Sequence, residues 1–258
     1  MFNYDDGIYY NLGIVYEKMK KLEKAKDAYL KTIELEPESI DAIYNLGLVY
    51  TELKDFKNAI KCFEKVIKAD SKDSNSYFNI GLVYFKMKDY IKAVDYFQKT
   101  IDLNDEDIYA HFYIGNIMKE LGDSESAKEK FEKVISLSPD YSWAYYNLAV
   151  IYYEQGDIQK AKENLRQTII LNPLDAEAYK ILSKILAKEE KYDEAISIMK
   201  DAIANCESSG DLYYITAEIY KNMDNIPDYK LYLNEAIKHN QTLSIPIQTV
   251  KKELNKLK

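Results

Sequence analysis

Apolar residues recur along this chain at helical spacing, and the pattern itself recurs every 34 residues. The segment Ile40–Asp73 shows it most fully, and the segments on both sides are variations of it. Counting from Asp6, Ile40, Ser74, Ile108, Ser142, Ala176 and Gly210 sets seven units in register as far as Leu243, with no insertion or deletion. Position 7 of the units reads Leu12, Leu46, Ile80, Ile114, Leu148, Leu182 and Thr216; position 8 reads Gly13, Gly47, Gly81, Gly115, Ala149, Ser183 and Ala217. The eighth site therefore takes almost no side chain. Position 4 (Tyr9, Ile43, Tyr77, His111, Tyr145, Tyr179, Tyr213) and position 11 (Tyr16, Tyr50, Tyr84, Met118, Tyr152, Leu186, Tyr220) complete a 4-7-8-11 spacing. That spacing puts all four on one face of a helix, predicted as the core side of the first helix, A, of each unit.

A second helix, B, is predicted after Lys54-Asp55, Lys88-Asp89, Gly122-Asp123 and Gly156-Asp157, where a residue tolerated at a helix end precedes an Asp able to cap the next helix. Its columns are Ala25, Ala59, Ala93, Ala127, Ala161 and Ala195, then Tyr29, Phe63, Phe97, Phe131, Leu165, Met199 and Leu233, then an Ile in every unit from Ile33 to Ile237. The small residues let two helices approach, and the large ones fill the space between them. Each unit is thus a helical hairpin whose apolar seam it cannot cover alone, so neighbours must stack and bury it jointly. Pro37, Pro139 and Pro173 stand at one place in their units, between helix B and the next helix A, where Pro ends a helix without harm.

The pattern of a large residue, then Leu-Gly, then Tyr, Ala, an aromatic and Ile, sometimes closed by Pro, resembles the tetratricopeptide repeat. The resemblance covers nearly the whole chain. It implies an all-α, right-handed superhelical solenoid of seven helix-turn-helix units, 6–39, 40–73, 74–107, 108–141, 142–175, 176–209 and 210–243. Residues 1–5 form a lead-in, with Phe2 and Tyr4 expected against the first helix. Repeat four departs from the pattern at His111 and Met118. Repeats six and seven drift further, with Ser183, Ala217, Thr216 and Tyr229 replacing consensus types and Pro227 entering the first turn of the last helix B. Residues 244–258 read as one more helix, with Ile247, Val250, Leu254 and Leu257 on one face, expected to cap the array. Pairing with another subunit is the alternative use of that face.

Length in such an array counts repeats rather than domains. The net charge is −8, spread in both signs, with no basic stripe to neutralise phosphates, so nucleic acid is not an expected partner. The first residues lack the basic-then-apolar signature of a secretory signal, and no run of about 18 apolar residues is present to span a bilayer. The expectation is a cytoplasmic protein with no membrane partner. Cys62 and Cys206 lie several units apart, too far for a disulfide, and are expected as free thiols.

With positions 4, 7, 8 and 11 inward, positions 2, 5, 6, 9, 12 and 13 of helix A face the other way, and the resemblance implies that this face lines a concave ligand-binding groove. Position 5 there reads Tyr10, Tyr44, Phe78, Phe112, Tyr146, Lys180 and Tyr214. Position 6 carries Asn11, Asn45, Asn79 and Asn147, and position 9 of repeat four is Asn116. An Asn at each unit's spacing offers a donor and an acceptor to an extended peptide backbone, while the aromatics offer contact area. The same Asn column also suits helix packing. Lys180, Lys184 and Lys188 share one face of repeat six, where an acidic segment or a terminal carboxylate could dock, although Glu177, Glu189 and Glu190 are near in sequence. Some co-chaperones of the tetratricopeptide family that this chain resembles hold a terminal carboxylate with a Lys at position 5, an Asn at position 9, an Asn at position 6 of the next unit and basic residues at positions 2 and 6 of the one after. That set is absent, because Tyr10 and Ile14 stand in repeat one, and Lys180 is followed by Lys184 and Ile215. Trp143, at position 2 of repeat five, is expected at the groove rim, with packing between units four and five as the alternative.

Catalysis finds no support in the sequence. The two histidines, His111 in a core column and His239 near the end, assemble neither a triad nor a metal cluster, and no cofactor is expected. Asp105, Glu106 and Asp107 fall in an inter-repeat turn rather than a paired acid–base site. The expected function is a non-catalytic scaffold that binds a protein or peptide segment, one that can carry acidic groups, with Tyr10, Tyr44, Phe78, Phe112, Trp143 and Tyr146 as contacts. Asn11, Asn45, Asn79, Asn116 and Asn147 would pair with backbone, and Lys180 and Lys184 would steer acidic groups. Two alternatives stay open: the substrate-selecting arm of a larger enzyme, as in a family of protein glycosyltransferases with similar arrays, and a self-assembling subunit that oligomerises through the C-terminal helix or a repeat end.

Overall fold

The computed structural model describes residues 4–206 and 209–257, with side chains from Gly7 onward. Among these residues the chain forms fifteen α-helices, one 3-10 turn and no strand. The A helices are α1 (Tyr4–Lys18), α3 (Ile40–Glu52), α5 (Ser74–Lys86), α7 (Ile108–Glu120), α9 (Ser142–Glu154), α11 (Ala176–Lys188) and α13 (Gly210–Asn222). The B helices are α2 (Leu22–Leu35), α4 (Phe56–Ala69), α6 (Tyr90–Leu103), α8 (Ser124–Leu137), α10 (Ile158–Leu171), α12 (Tyr192–Asn205) and α14 (Ile226–Lys238). A 3-10 turn at Asn240–Thr242 leads into α15 (Ile247–Lys256). The chain is an all-α solenoid of helix-turn-helix repeats. It divides into two compact units, residues 1–130 and 131–258. Phe2 and the Tyr4 side chain, expected against α1, lie outside the described residues; α1 itself begins at Tyr4.

One backbone device makes every A-to-B turn. Lys20, Lys54, Lys88, Gly122, Gly156, Glu190 and Asp224 occupy the same position in their repeats, and all have φ between 54° and 82°. This left-handed residue lets the next amide fold back onto the helix just ended: the Asp55 N–H donates to the Tyr50 carbonyl at 2.8 Å. The following Asp then caps helix B. The carboxylates of Asp55, Asp89, Asp123 and Asp157 accept the N–H of the residue three further on, at 3.1–3.3 Å. Asp73, Asp107 and Asp175 do the same for α5, α7 and α11, so one member of the Asp105-Glu106-Asp107 run is a helix cap.

The deep core is rotated slightly from the face expected. Position 3 of the A helix (Ala42, Ser76, Ala110, Ala144, Ala178, Leu212) and position 10 (Val49, Val83, Ile117, Ile151, Ile185, Ile219) are buried in repeats two to seven. Several tyrosines at positions 4 and 11, Tyr9, Tyr77 and Tyr84 among them, are only half-buried. A phenol keeps its hydroxyl at the boundary with water, whereas Ala and Val carry nothing that needs it. In helix B the aromatic column is fully buried, and so is the column three residues later, Thr32, Val66, Thr100, Val134, Thr168, Ala202 and Ala236, while the repeated Ile is half-buried. The threonines enter because each hydroxyl donates to the carbonyl four residues back, at 3.2 Å in Thr32 and 2.9 Å in Thr168. Small residues at position 8 are required by what faces them: a Cβ on Gly47 would stand 2.8 Å from the Phe63 ring. Where position 8 is Ala149, Ser183 or Ala217, the residue sixteen further on is Leu165, Met199 or Leu233 instead of an aromatic.

Candidate partner-binding site

In the first unit, the position-5 aromatics pack inward against helix B. The Tyr10 ring lies 6.0 Å from Tyr29, Tyr44 lies edge-on to Phe63 at 5.7 Å, and Phe78 lies 5.4 Å from Phe97. Each is half-buried, so one edge remains for an incoming group. Phe112 is half-buried beside Tyr113, and Asn116 is half-buried one helical turn along. The Asn column links successive repeats: the Asn45 amide donates to the Tyr10 hydroxyl at 3.2 Å, and the Asn79 amide to the Tyr44 hydroxyl at 2.8 Å. Asn79 also donates to the Asn75 carbonyl at 2.9 Å, so both of its N–H groups are engaged and its carbonyl oxygen is what it can offer a ligand. Asn11 is exposed. Burial is the main cause that pushes the Tyr44 phenol above its ordinary value, against which the Asn79 bond works.

In the second unit, Asn147 is buried and donates to the Trp143 carbonyl at 2.8 Å. Trp143 is 53 % exposed and meets the Tyr146 ring edge-on at 6.5 Å. The lysines of α11 stand over a cavity of about 500 Å³, between the α11 and α13 faces and the segment that leads into α15. Ala187, Tyr214, Ile215, Ile219 and Ile245 give it apolar wall, beside the charged Asp211 and Glu218. Lys180 is engaged by Glu177, and Lys188 donates to the Tyr153 hydroxyl at 3.3 Å. Of the nearby acids, Glu189 is held by Lys162 at 2.6 Å and by Lys191 at 2.8 Å; their hydrogen bonds, Lys162 first, lower its pKa. The acids on the cavity wall are also engaged: Asp211 accepts from the Ser244 N–H at 2.7 Å, and Glu218 pairs with Lys221 at 3.1 Å. Among the described residues this leaves Lys184 and Lys188 without a carboxylate in ion-pair reach, and Lys184, exposed at the lip, also without the tyrosine partner that Lys188 has. The Tyr214 hydroxyl points instead to Glu253 at 3.4 Å, and burial first of all pushes its pKa up to about 12.

Family models described as tetratricopeptide repeat match residues 8–39, 38–106 and 118–185. The chain belongs to the tetratricopeptide repeat family. Among solved structures, this TPR chain is similar to YrrB, a TPR protein with an unusual peptide-binding site, at 29 % identity and a TM-score of 0.53, over 66 % of this chain and 88 % of that one. It is also similar to the C-terminal part of a TPR repeat-containing protein from Cytophaga hutchinsonii, at 16 % identity and a TM-score of 0.74, over 95 % and 99 % of the two chains. A tetratricopeptide repeat protein from Parabacteroides merdae aligns over 99 % of both chains, with 15 % identity and a TM-score of 0.65. At such identity the last two show the fold alone. No curated protein sequence matches the chain.

Family members are in general non-catalytic protein-interaction modules, and the repeats and neighbours support that role here. Among the described residues no three of His, Cys, Asp and Glu are grouped to hold a metal, and no helix is long and apolar enough to cross a membrane. Cys62 and Cys206 are free thiols, and burial pushes the Cys62 thiol up to about 11. Sequence reasoning identified the lysines of this TPR cavity but not Tyr153, Ile219 or Ile245. Tyr214 and Ile215 were legible, since they fill positions 5 and 6 of repeat seven. Ile245 carries no such signal, because it lies beyond the last repeat and reaches the cavity through a turn.

Proposed function

We propose that this TPR chain is a non-catalytic scaffold that takes a segment of a partner protein on its A-helix faces, anchored in the cavity beside α11 and α13. The observation that supports this is the combination there of apolar walls with Lys184 free of any carboxylate. A cavity of that size holds one or two apolar side chains, and an uncompensated ammonium at its lip favours a carboxylate beside them. The anchor is therefore an apolar residue next to an acidic one or to a chain terminus. On the A-helix faces of the first unit, taken by themselves, Asn11, the carbonyl oxygen of Asn79 and the open ring edges of Tyr10, Tyr44 and Phe78 offer contacts to a partner. Asn45, Phe112 and Asn116 lie on A helices of the first unit and Trp143, Tyr146, Asn147 and Lys180 on those of the second, and the hydrogen bonds of Asn45 and Asn147 favour a part in shaping the surface over one in touching the ligand.

Selection from a displayed peptide library tests the reading. Peptides with an acidic group beside an apolar residue should be enriched, and their affinity should fall at least about tenfold with Lys184→Glu and fall with added salt. Enrichment of sequences without acidic groups, or affinity unchanged in Lys184→Glu, would reject the cavity as the anchor.

A further inference from the structure

The tyrosines at position 5 of the A helices provide a standard for how such a hydroxyl is satisfied. Those of Tyr10 and Tyr44 each receive an amide N–H from the Asn at position 6 of the following repeat, at 3.2 and 2.8 Å. That of Tyr214 donates to Glu253. Tyr146 is the exception: position 6 of its following repeat is Ile181, which has no N–H to give, and among the described residues its hydroxyl meets no hydrogen-bond partner. Beside it stands Trp143, more than half exposed, at a position where other A helices carry Asp41, Asn75, Tyr109, Glu177 and Asp211. The two rings meet edge-on, and the indole face remains open. The surrounding charge is negative. Glu177 holds position 2 of the next A helix, one repeat on from Trp143, and Asp175 caps that helix through the Ala178 N–H. Burial first, and then the charges of Glu177 and Asp175, push the Tyr146 phenol above its ordinary value. Elsewhere in the second unit the chain covers tyrosine rings with its own lysines, Lys160 over Tyr152 at 5.0 Å and Lys188 over Tyr153 at 5.8 Å. Among the described residues no cation stands over Trp143 or Tyr146.

We propose that Trp143, Tyr146 and Glu177 form a subsite for an arginine of the bound partner segment, so that the segment carries a basic residue besides its acidic anchor. The proposal rests on the cavity reading above for where the segment runs. A guanidinium lies flat on an indole face, where the ring's negative face attracts it, while its edge carries N–H groups in several directions. One of them gives the Tyr146 hydroxyl the donor that Asn45 and Asn79 give Tyr10 and Tyr44. Another meets the Glu177 carboxylate. An apolar side chain would leave the hydroxyl without a donor, and an acidic one would be repelled by Glu177 and Asp175. A lysine ammonium lacks the flat face that matches the indole. The subsite also connects to the cavity. Glu177 is the carboxylate that holds Lys180 in the free chain, in an exposed contact of little strength. An arginine that takes Glu177 leaves Lys180, a residue of the cavity wall, to the acidic group of the same segment.

The probe is the tightest-binding peptide of the displayed library, synthesised with each arginine in turn replaced by citrulline, which keeps the shape and removes the charge. Calorimetry on the whole chain gives the affinities, and the emission of Trp143, the only tryptophan, reports contact directly. The expected result is one arginine whose replacement weakens binding about three- to thirty-fold, with an emission change on binding that the citrulline peptide reduces. In Trp143→Leu and in Glu177→Gln, both at exposed side chains and checked for unchanged helicity, the gap between arginine and citrulline peptides should shrink while the Lys184→Glu effect persists. A selected peptide with no arginine, equal affinity of the two forms, or a gap unchanged in either variant would overturn the proposal, and the cavity reading would stand if Lys184→Glu still weakens binding. Loss of the Lys184 effect with the arginine effect intact would reject the cavity as the anchor and support the arginine subsite.

Discussion

At the scale of single residues, the chain is governed by who faces whom sixteen positions apart. Gly47 and Phe63 form one such pair, and a Cβ on the glycine would press into a fully buried ring held by its neighbours. Gly47→Ala should therefore cost about 1–3 kcal/mol, measured by urea unfolding. Combining it with Phe63→Leu reproduces the Ala149–Leu165 arrangement of repeat five, so the double variant should be less destabilised than the sum of the two single changes. Strict additivity would show that the ring is not what excludes the methyl group. The pairing was present in the sequence as two separate columns; that they vary together becomes meaningful only once the distance between them is known. The Asn column shows the reverse case. Its regularity suggests a row of ligand contacts, yet Asn45 and Asn79 use amide protons on tyrosines of the preceding repeat, thirty-five residues earlier.

At the scale of elements, hairpin geometry was legible almost entirely, because turns and caps are local. The Lys-Asp and Gly-Asp pairs place the end of one helix and the start of the next, and the structure shows one left-handed residue followed by one capping carboxylate at those four turns. Lysine at that position carries a strain that glycine does not. Lys54→Gly should stabilise the chain by about 0.5–1 kcal/mol, after glycine's greater freedom in the unfolded chain is subtracted from the relief of the left-handed conformation. Thermal unfolding of Lys54→Gly and Lys88→Gly, singly and together, checks this; a loss of stability would mean that the lysine side chains contribute contacts larger than the backbone strain. The rotation of each helix about its axis was less legible. Tyrosine reads as core by size and as surface by its hydroxyl, and the tertiary packing resolves the conflict by burying alanine and valine beside it.

At the scale of the whole molecule, stability in stacked hairpins is a sum of repeats and nearest-neighbour contacts, so a local lesion should stay local. Val250→Asp would place a carboxylate where α15 is fully buried, at a cost of about 2–4 kcal/mol. Hydrogen exchange should then quicken in α13, α14 and α15 while α3 to α6 keep their protection; uniform loss would mean that the chain unfolds as one cooperative block. The same variant should weaken ligand binding in the cavity, because the segment carrying Ile245 forms one of its walls. By itself the sequence determined the period, the helix-turn-helix repeat, the family and the caps, since these depend on residues a few positions apart and on a pattern that repetition makes unmistakable. Only the tertiary structure decided that Lys184 and Lys188 are left without a counter-charge while Lys188 alone finds the Tyr153 hydroxyl, that a turn beyond the last repeat closes the cavity, and that Ile8, Leu12 and Val15 of α1 are exposed where their counterparts in other repeats are buried. Each of these depends on groups far apart in sequence competing for the same neighbours, and that competition is resolved only when the hairpins pack.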